Sequence, residues 1–214
     1  MHPPHRDHPA GDHTVTTVEQ LRSIVGHPND RVATKVRDRL TEVHREWIAR
    51  SPFVVVSTTG AGGAVDVSPK GDPPGFVRVL DDTTIAIPER PGNKRVDGYL
   101  NVLTDPHVGT LFVVPGRGDT LRINGTARIV SDADYFDDMV VSGHRPILAL
   151  EISVEETFFH CAKAFMRSHL WDTDTWHPDD LPSVAEIAHA VMSSPGLDEL
   201  EQHYAEENYR RLLY

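Results

Sequence analysis

Between residues 53 and 154 the chain is a succession of short β-branched and aromatic runs separated by turn residues. This succession limits the fold more than any other feature. Residues 53–58, Phe-Val-Val-Val-Ser-Thr, form the first run. Gly60-Ala-Gly-Gly63 turns the chain into a second run over 64–68. That glycine-rich turn lacks the lysine and the following helix of a phosphate-binding P-loop, so it reads as a hairpin turn. Residues 76–80 and 83–87, joined by Asp81-Asp82, form the next hairpin. Residues 108–114 and 120–130 form another around Pro115-Gly-Arg-Gly118, and 147–154 is the last strong strand. A closed or nearly closed antiparallel barrel removes the edges that so many short strands would otherwise expose. No internal repeat of solenoid period is present.

Helical patterns flank this core. Thr16-Thr-Val-Glu19 has the form of a capping box, with Gly26 as the stop. Val32, Val36, Leu40, Val43 and Trp47 recur at helical spacing and predict one helix over 31–50, ended by Ser51-Pro52. It serves either as a lid or dimer contact or, more simply, as a helix packed over one barrel end. A short helix interrupts the strands over 93–104, and another is expected over 132–139, capped by Ser131 or Asp132. The tail reads as two helices, 183–192 and 195–213. The expected organisation is a disordered histidine-rich leader over 1–14, a helical extension over 15–50, a barrel domain over 51–172 and a helical extension over 173–214.

Bulk properties narrow the function. An apolar fraction of 39% and a charged fraction of 25% suit a soluble globular protein. The net charge of −11 argues against a nucleic-acid-binding surface. One cysteine excludes an internal disulfide and suits a reducing, cytoplasmic setting. No apolar run reaches the length of a membrane span, and no signal peptide is evident. His2, His5, His8 and His13 lie in the leader without the spacing of a closed zinc site, so no metal centre is expected.

Against this acidic background, the segment 88–106 stands out. Its front half gathers Arg90, Asn93, Lys94 and Arg95 around a Pro-Gly turn, and its back half opens a helix. Cations with free backbone N–H groups at such a turn make a site for a dianion such as a phosphate. The plainer reading is a solvated loop.

Four motifs follow one another in order: Asp66-Val-Ser-Pro-Lys-Gly-Asp-Pro-Pro-Gly-Phe-Val-Arg-Val-Leu80, Pro88-Glu-Arg-Pro-Gly-Asn93, Asp105-Pro-His-Val-Gly-Thr-Leu-Phe112 and Thr120-Leu-Arg-Ile-Asn-Gly125. As an ordered set, covering about residues 47–171, they resemble the pyridoxamine 5′-phosphate oxidase-like family of FMN-binding split barrels, in particular its flavin-nucleotide-binding branch. The resemblance implies a mainly β, α+β fold built on a six-stranded antiparallel split β-barrel. It also implies a homodimer, with two FMN sites at the dimer interface. It places Val67, Ser68 and Lys70 beside the flavin, Thr120 against the ring or ribityl chain, and Arg167 and Trp171 at the completion of the site. The family strand carries an arginine where this chain has Val65 or Asp66, a departure at the phosphate end. Arg122 alternates with Thr120 by two and shares its face. Lys163 lies four residues before Arg167 and shares its face on a helix.

His160 and Cys161 do not make a nucleophilic pair, since neighbours on a helix point about 100° apart, and a lone cysteine is more often a small buried hydrophobe. The function implied is an FMN-dependent oxidoreductase acting on a small molecule, with NADH or NADPH as possible donor and no residue marked as general acid or base. The alternatives are a flavin-binding carrier without turnover, or a split barrel that uses haem, with His160 or His169 as axial ligand, or deazaflavin F420.

Overall fold

A computed structural model of the chain describes residues 13–30, 34–192 and 194–214. Residues 1–12, which hold most of the histidine-rich leader, lie outside them. The chain falls into two compact units, residues 1–35 and 36–214. In the first, α1 (Val18–Val25) is capped one residue later than the sequence pattern suggested. Thr17 accepts the Gln20 N–H, while the Gln20 amide oxygen takes the N–H groups of both Thr16 and Thr17, so Gln20 replaces Glu19 in the box. Gly26, at φ 75°, ends the helix.

In the second unit the expected helix over 31–50 is much shorter: α2 is Glu42–Arg50. Residues 31–33 lie outside the described set. Arg37 has given its backbone to the sheet instead, donating to the Thr157 carbonyl at 3.0 Å and accepting from the Thr157 N–H at 2.8 Å. A backbone paired there cannot join a helical ladder. Helix formation restarts at Thr41, whose N–H donates to His44 Nδ1 at 3.0 Å.

Seven strands, not six, form one antiparallel sheet in the order β2-β1-β5-β6-β7-β4-β3. They are β1 (Phe53–Thr59), β2 (Val65–Gly71), β3 (Arg78–Val79), β4 (Thr84–Glu89), β5 (His107–Val113), β6 (Thr120–Val130) and β7 (Leu148–His160). The strand expected over 76–80 is reduced to the two-residue β3, paired to Ala86 and Ile85. β7 runs six residues beyond its predicted end because β6 pairs with it along its whole length. His160 is therefore a strand residue, and the helical argument about His160 and Cys161 does not apply. The β6–β7 ladder shifts register at Asn124/Gly125. There a Cβ on Gly125 would lie 1.9 Å from the Ser153 carbonyl oxygen, so only glycine allows the approach.

The ladder does not close, since β2 and β3 end it without pairing to each other. The sheet nevertheless wraps a single core: Val54 and Val56 of β1 pack in one cluster with Ile85 and Ile87 of β4, Phe112 of β5, Ile123 of β6 and Ile152 of β7. Each fully buried aliphatic side chain contributes about 1.5–3 kcal/mol. α2 adds Trp47 and Ile48, and α3 (Asp97–Val102) adds Tyr99 and Val102. β2 and β4 meet through side chains across the opening, with Lys70 of β2 bonded to Glu89 of β4. This is a barrel split along a seam, closed by an ion pair where a ladder would otherwise run.

On the outer face of β4 and β7, the small Ala86 and Ala149 accept Phe136 and Met139 from a 3-10 helix over Asp134–Met139. After β7 come α4 (Lys163–Ser168), α5 (Val184–Val191), α6 (Leu197–Tyr204) and α7 (Glu206–Arg210). The second tail helix is thus two: Ala205, at ψ 131°, leaves the helical region between them. Ala185 and Ala188 of α5 pack on Leu200 of α6 in a small core of their own.

Candidate functional site

β2 inverts the usual rule for a barrel strand. Its inward positions are the half-buried Asp66, Ser68 and Lys70, and its outward positions include the exposed Val65 and Val67. A strand facing a packed core would show the reverse. What lies inside β2 is a polar cleft, and Pro69 in mid-strand is tolerated because β2 is an edge.

The cleft is walled by Asp66, Ser68 and Lys70 on one side and by Asn93, Arg95 and Asp97 on the other, over an apolar floor of Val56, Leu150 and Tyr99. Its volume is ≈ 200 Å³. The loop wall is shaped by Asn93, whose side-chain oxygen accepts the Arg95 N–H at 2.9 Å, and by Lys94 at φ 60°. A left-handed lysine is a strained residue held by its surroundings. α3 packs across β1 and β2. A Cβ on Gly98 would meet the Asp66 carboxylate at 2.8 Å, so a larger residue here would push that side chain aside.

Five of the sequence-predicted residues, Val67, Ser68, Lys70, Asn93 and Arg95, line this one cleft. Lys94 sits in its loop wall. Lys70 is held from behind. Its ammonium bonds Glu89 Oε2, and the Tyr99 hydroxyl donates to the same oxygen at 2.7 Å. The ammonium also lies 5.2 Å from the Tyr99 ring centroid. Burial first, and then the Glu89 charge and hydrogen bond, push the Tyr99 hydroxyl far above its ordinary pKa, so it stays a donor. Arg95 pairs with Asp97, but both are open to solvent, at 77% and 45% side-chain exposure. Such a pair exchanges readily for a ligand anion.

The other predicted residues lie elsewhere in the chain. Arg90 is turned away from the cleft. It donates to Asp72 Oδ2 at 2.7 Å, to the Met139 carbonyl at 2.7 Å and to the His144 carbonyl at 3.1 Å. Thr120 is buried opposite His160 in the ladder. Arg122, on the same face, donates to Asn124 at 3.0 Å and lies 5.3 Å over the Phe158 ring. Lys163 and Arg167 are exposed on α4. The Trp171 indole donates to the Arg117 carbonyl at 2.7 Å, stacks on Phe165, and lines a separate hollow with Gly116, Gly118 and His169. A further cleft of ≈ 460 Å³, between Trp47, Arg50, Arg117 and Phe159, shares none of its lining with the polar one. Cys161 is exposed rather than buried.

Sequence reasoning missed Glu89, Tyr99, Asp97 and the inward position of Asp66. A signal for Glu89 existed. It follows Ile85 and Ile87 by two, so it ends a buried row and points into the barrel. Tyr99 carried no comparable signal.

The profile of the pyridoxamine 5′-phosphate oxidase family matches residues 40–161, more than half of the chain. The chain belongs to that family. The match spans all seven strands and the cleft. No curated protein sequence matches the chain. Similar solved structures include an FMN-binding protein from Syntrophomonas wolfei, at 15% identity over 55% of this chain and 88% of that one with a TM-score of 0.42. The HupZ protein of Group A Streptococcus is similar at 22% identity, over 56% of this chain and 93% of that one, with a TM-score of 0.46. An F420 reductase is similar at 16%, over 56% and 98%, with a TM-score of 0.40. Among the described residues, no helix is long and apolar enough to cross a membrane, and no group of three or more His, Cys, Asp and Glu is arranged to hold a metal ion.

Proposed function

We propose that the chain is an FMN-dependent oxidoreductase of the pyridoxamine 5′-phosphate oxidase family, with the cofactor seated in the polar cleft at the barrel seam. The observation that carries this reading is the inverted β2, which turns a hydroxyl, an ammonium and a carboxylate inward beside an apolar floor. A flavin nucleotide offers a dianion, a polyhydroxy chain and a flat apolar ring, and the cleft offers a matching sequence of groups. Arg95, Lys94 and Asn93 take the phosphate, since Arg95 is held only by an exposed pair. Asp66 and Ser68 bond the ribityl hydroxyls. Val56, Leu150 and Tyr99 carry the ring, with Lys70 at its edge. The bound flavin supplies two-electron chemistry, and the protein holds and orients it and excludes water.

The cleft of one chain is smaller than the roughly 300–1,000 Å³ of a typical cofactor pocket. The exposed Val65 and Val67 on the outside of β2 also call for a cover. Both features favour a homodimer in which the second copy completes the site, with Arg122, Lys163, Arg167 and Trp171 as that copy's contribution, while the buried Thr120 is not available to it. An organic small molecule is the substrate, and NADH or NADPH the donor. The working compartment is the cytoplasm.

The test is an absorption spectrum of the purified chain before and after adding FMN, with size exclusion alongside. A flavin spectrum that travels with a dimer supports the reading, and a screen of NADH, NADPH and acceptors then separates turnover from simple carriage. A haem spectrum, or no uptake of FMN, overturns it.

A further inference from the structure

Lys70 is the one cation on the β2 wall of the cleft, and it is not a free charge. Glu89 approaches it from β4, next to last in the strand order, and Tyr99 approaches from α3. The side chains of Lys70 and Glu89 are 19% and 18% exposed, against 77% and 45% for the neighbouring Arg95–Asp97 pair. Glu89 does not line the cleft itself. It lies behind Lys70, in the groove shared with Asp72 and Arg90. The Lys70–Glu89 pair is therefore enclosed, bonded on both sides and fixed, whereas the Arg95–Asp97 pair is open and exchangeable.

We infer that Glu89 is a positioning residue that sets the charge at the ring end of the cleft, and through it the reduction potential of bound flavin. The inference rests on the flavin reading above. An uncompensated ammonium beside the ring favours the reduced, more negative flavin over the oxidised one. Glu89 cancels most of that effect, and the Tyr99 hydroxyl, bonded to the same carboxylate oxygen, fixes the carboxylate in place. The site is thereby tuned to hold flavin that gives up its electrons readily. The carboxylate also fixes where the Lys70 ammonium stands, so a ligand meets a lysine that is already oriented.

The test is a pair of opposite substitutions in the full chain loaded with FMN, with the midpoint potential as readout. Glu89→Gln keeps the shape and leaves Lys70 uncompensated. It is expected to raise the affinity for reduced over oxidised FMN about tenfold, ~30 mV upward for a two-electron couple. Lys70→Met removes the cation and leaves the carboxylate, and is expected to shift the potential downward. The double substitution should return towards the parent value. A second measurement needs no flavin: acetylation of Lys70 by acetic anhydride, read by peptide mass spectrometry, should rise several-fold in Glu89→Gln, because the ammonium is no longer tied down. If flavin binds and both variants leave the potential unchanged, or move it the same way, the inference is overturned while the cofactor reading stands. If the parent chain takes up no flavin, the cofactor reading falls and the tuning role falls with it. Increased acetylation in Glu89→Gln would then show that the pairing itself is as described.

Discussion

Two cation–carboxylate pairs stand side by side at the seam of the barrel, and they have different fates. Arg90–Asp72 is sealed: the side chains are 12% and 2% exposed, and the guanidinium spends its other donors on the Met139 and His144 carbonyls. Tyr214 closes the far side, its hydroxyl donating to Asp72 Oδ1 at 2.5 Å and its ring lying 5.9 Å from the Arg90 guanidinium carbon. Lys70–Glu89 has a tyrosine of its own, Tyr99, yet its lysine still lines the cleft. One pair is a rivet between β2, β4 and the 139–144 segment. The other is a rivet with one face left open to a ligand. Arginine's five donors suit the first role, because every carbonyl it meets can be satisfied, and lysine's single compact ammonium suits the second.

The largest effect expected from this contrast is on stability. Arg90→Ala leaves a buried Asp72 carboxylate and two carbonyls without their partner and should cost about 3–5 kcal/mol. Lys70→Met leaves Glu89 with its Tyr99 hydrogen bond, so it should cost about 1–3 kcal/mol. Urea denaturation of the two variants decides the matter, and equal losses would break the comparison. Binding should rank them in the other order. Lys70→Met should weaken FMN binding about tenfold, ~1.4 kcal/mol, while Arg90→Ala, at a residue outside the cleft, should weaken it less. An FMN titration by fluorescence gives both values.

This contrast also marks what the sequence reveals and what it withholds. The strand succession from 53 to 154 was legible because alternation and turn residues are local signals. Five cleft residues were legible because they sit in two compact motifs. Arg90 was not, because its motif says only that a cation follows Pro88 and Glu89. Its partner Asp72 lies across a seam that only the curled sheet creates. The helix expected over 31–50 failed for a related reason. Val36 and Leu40 keep helical spacing, but Arg37 is claimed by Thr157, some 120 positions away, and no local pattern records that pairing. The strand expected over 76–80 shrinks to the two-residue β3, because only Arg78 and Val79 find partners on β4.

The paired tyrosines allow a finer test. Tyr99→Phe removes a donor from Glu89 inside the barrel and should cost about 1 kcal/mol, with Tyr214→Phe costing less at its more open position. Thermal or urea unfolding of the two variants at neutral pH orders them. The reverse order would mean that the Tyr214 hydroxyl, and not the Tyr99 one, is the better sheltered of the two.

The smallest effect is on the alkaline side of the stability profile. Both hydroxyls titrate above the ordinary tyrosine value, Tyr99 through burial and then the Glu89 charge, and Tyr214 through its bond to Asp72 and then burial. Above about pH 10 the unfolded chain releases these protons while the folded chain keeps them. The unfolded state then binds fewer protons, so stability falls as pH rises through that range and is fully present below it. Tyr135, bonded to the buried Glu151 at 2.8 Å, adds the same slope to every variant and serves as background. Urea midpoints measured between about pH 8 and pH 11 should therefore fall less steeply in Tyr99→Phe than in the parent chain. Tyr214→Phe should flatten the fall only slightly, because Tyr214 is less deeply buried than Tyr99. Equal flattening in the two variants would mean that the Asp72 and Glu89 carboxylates sit in equally closed surroundings, and the difference between the rivet and the open-faced pair would have to be sought in the cations alone.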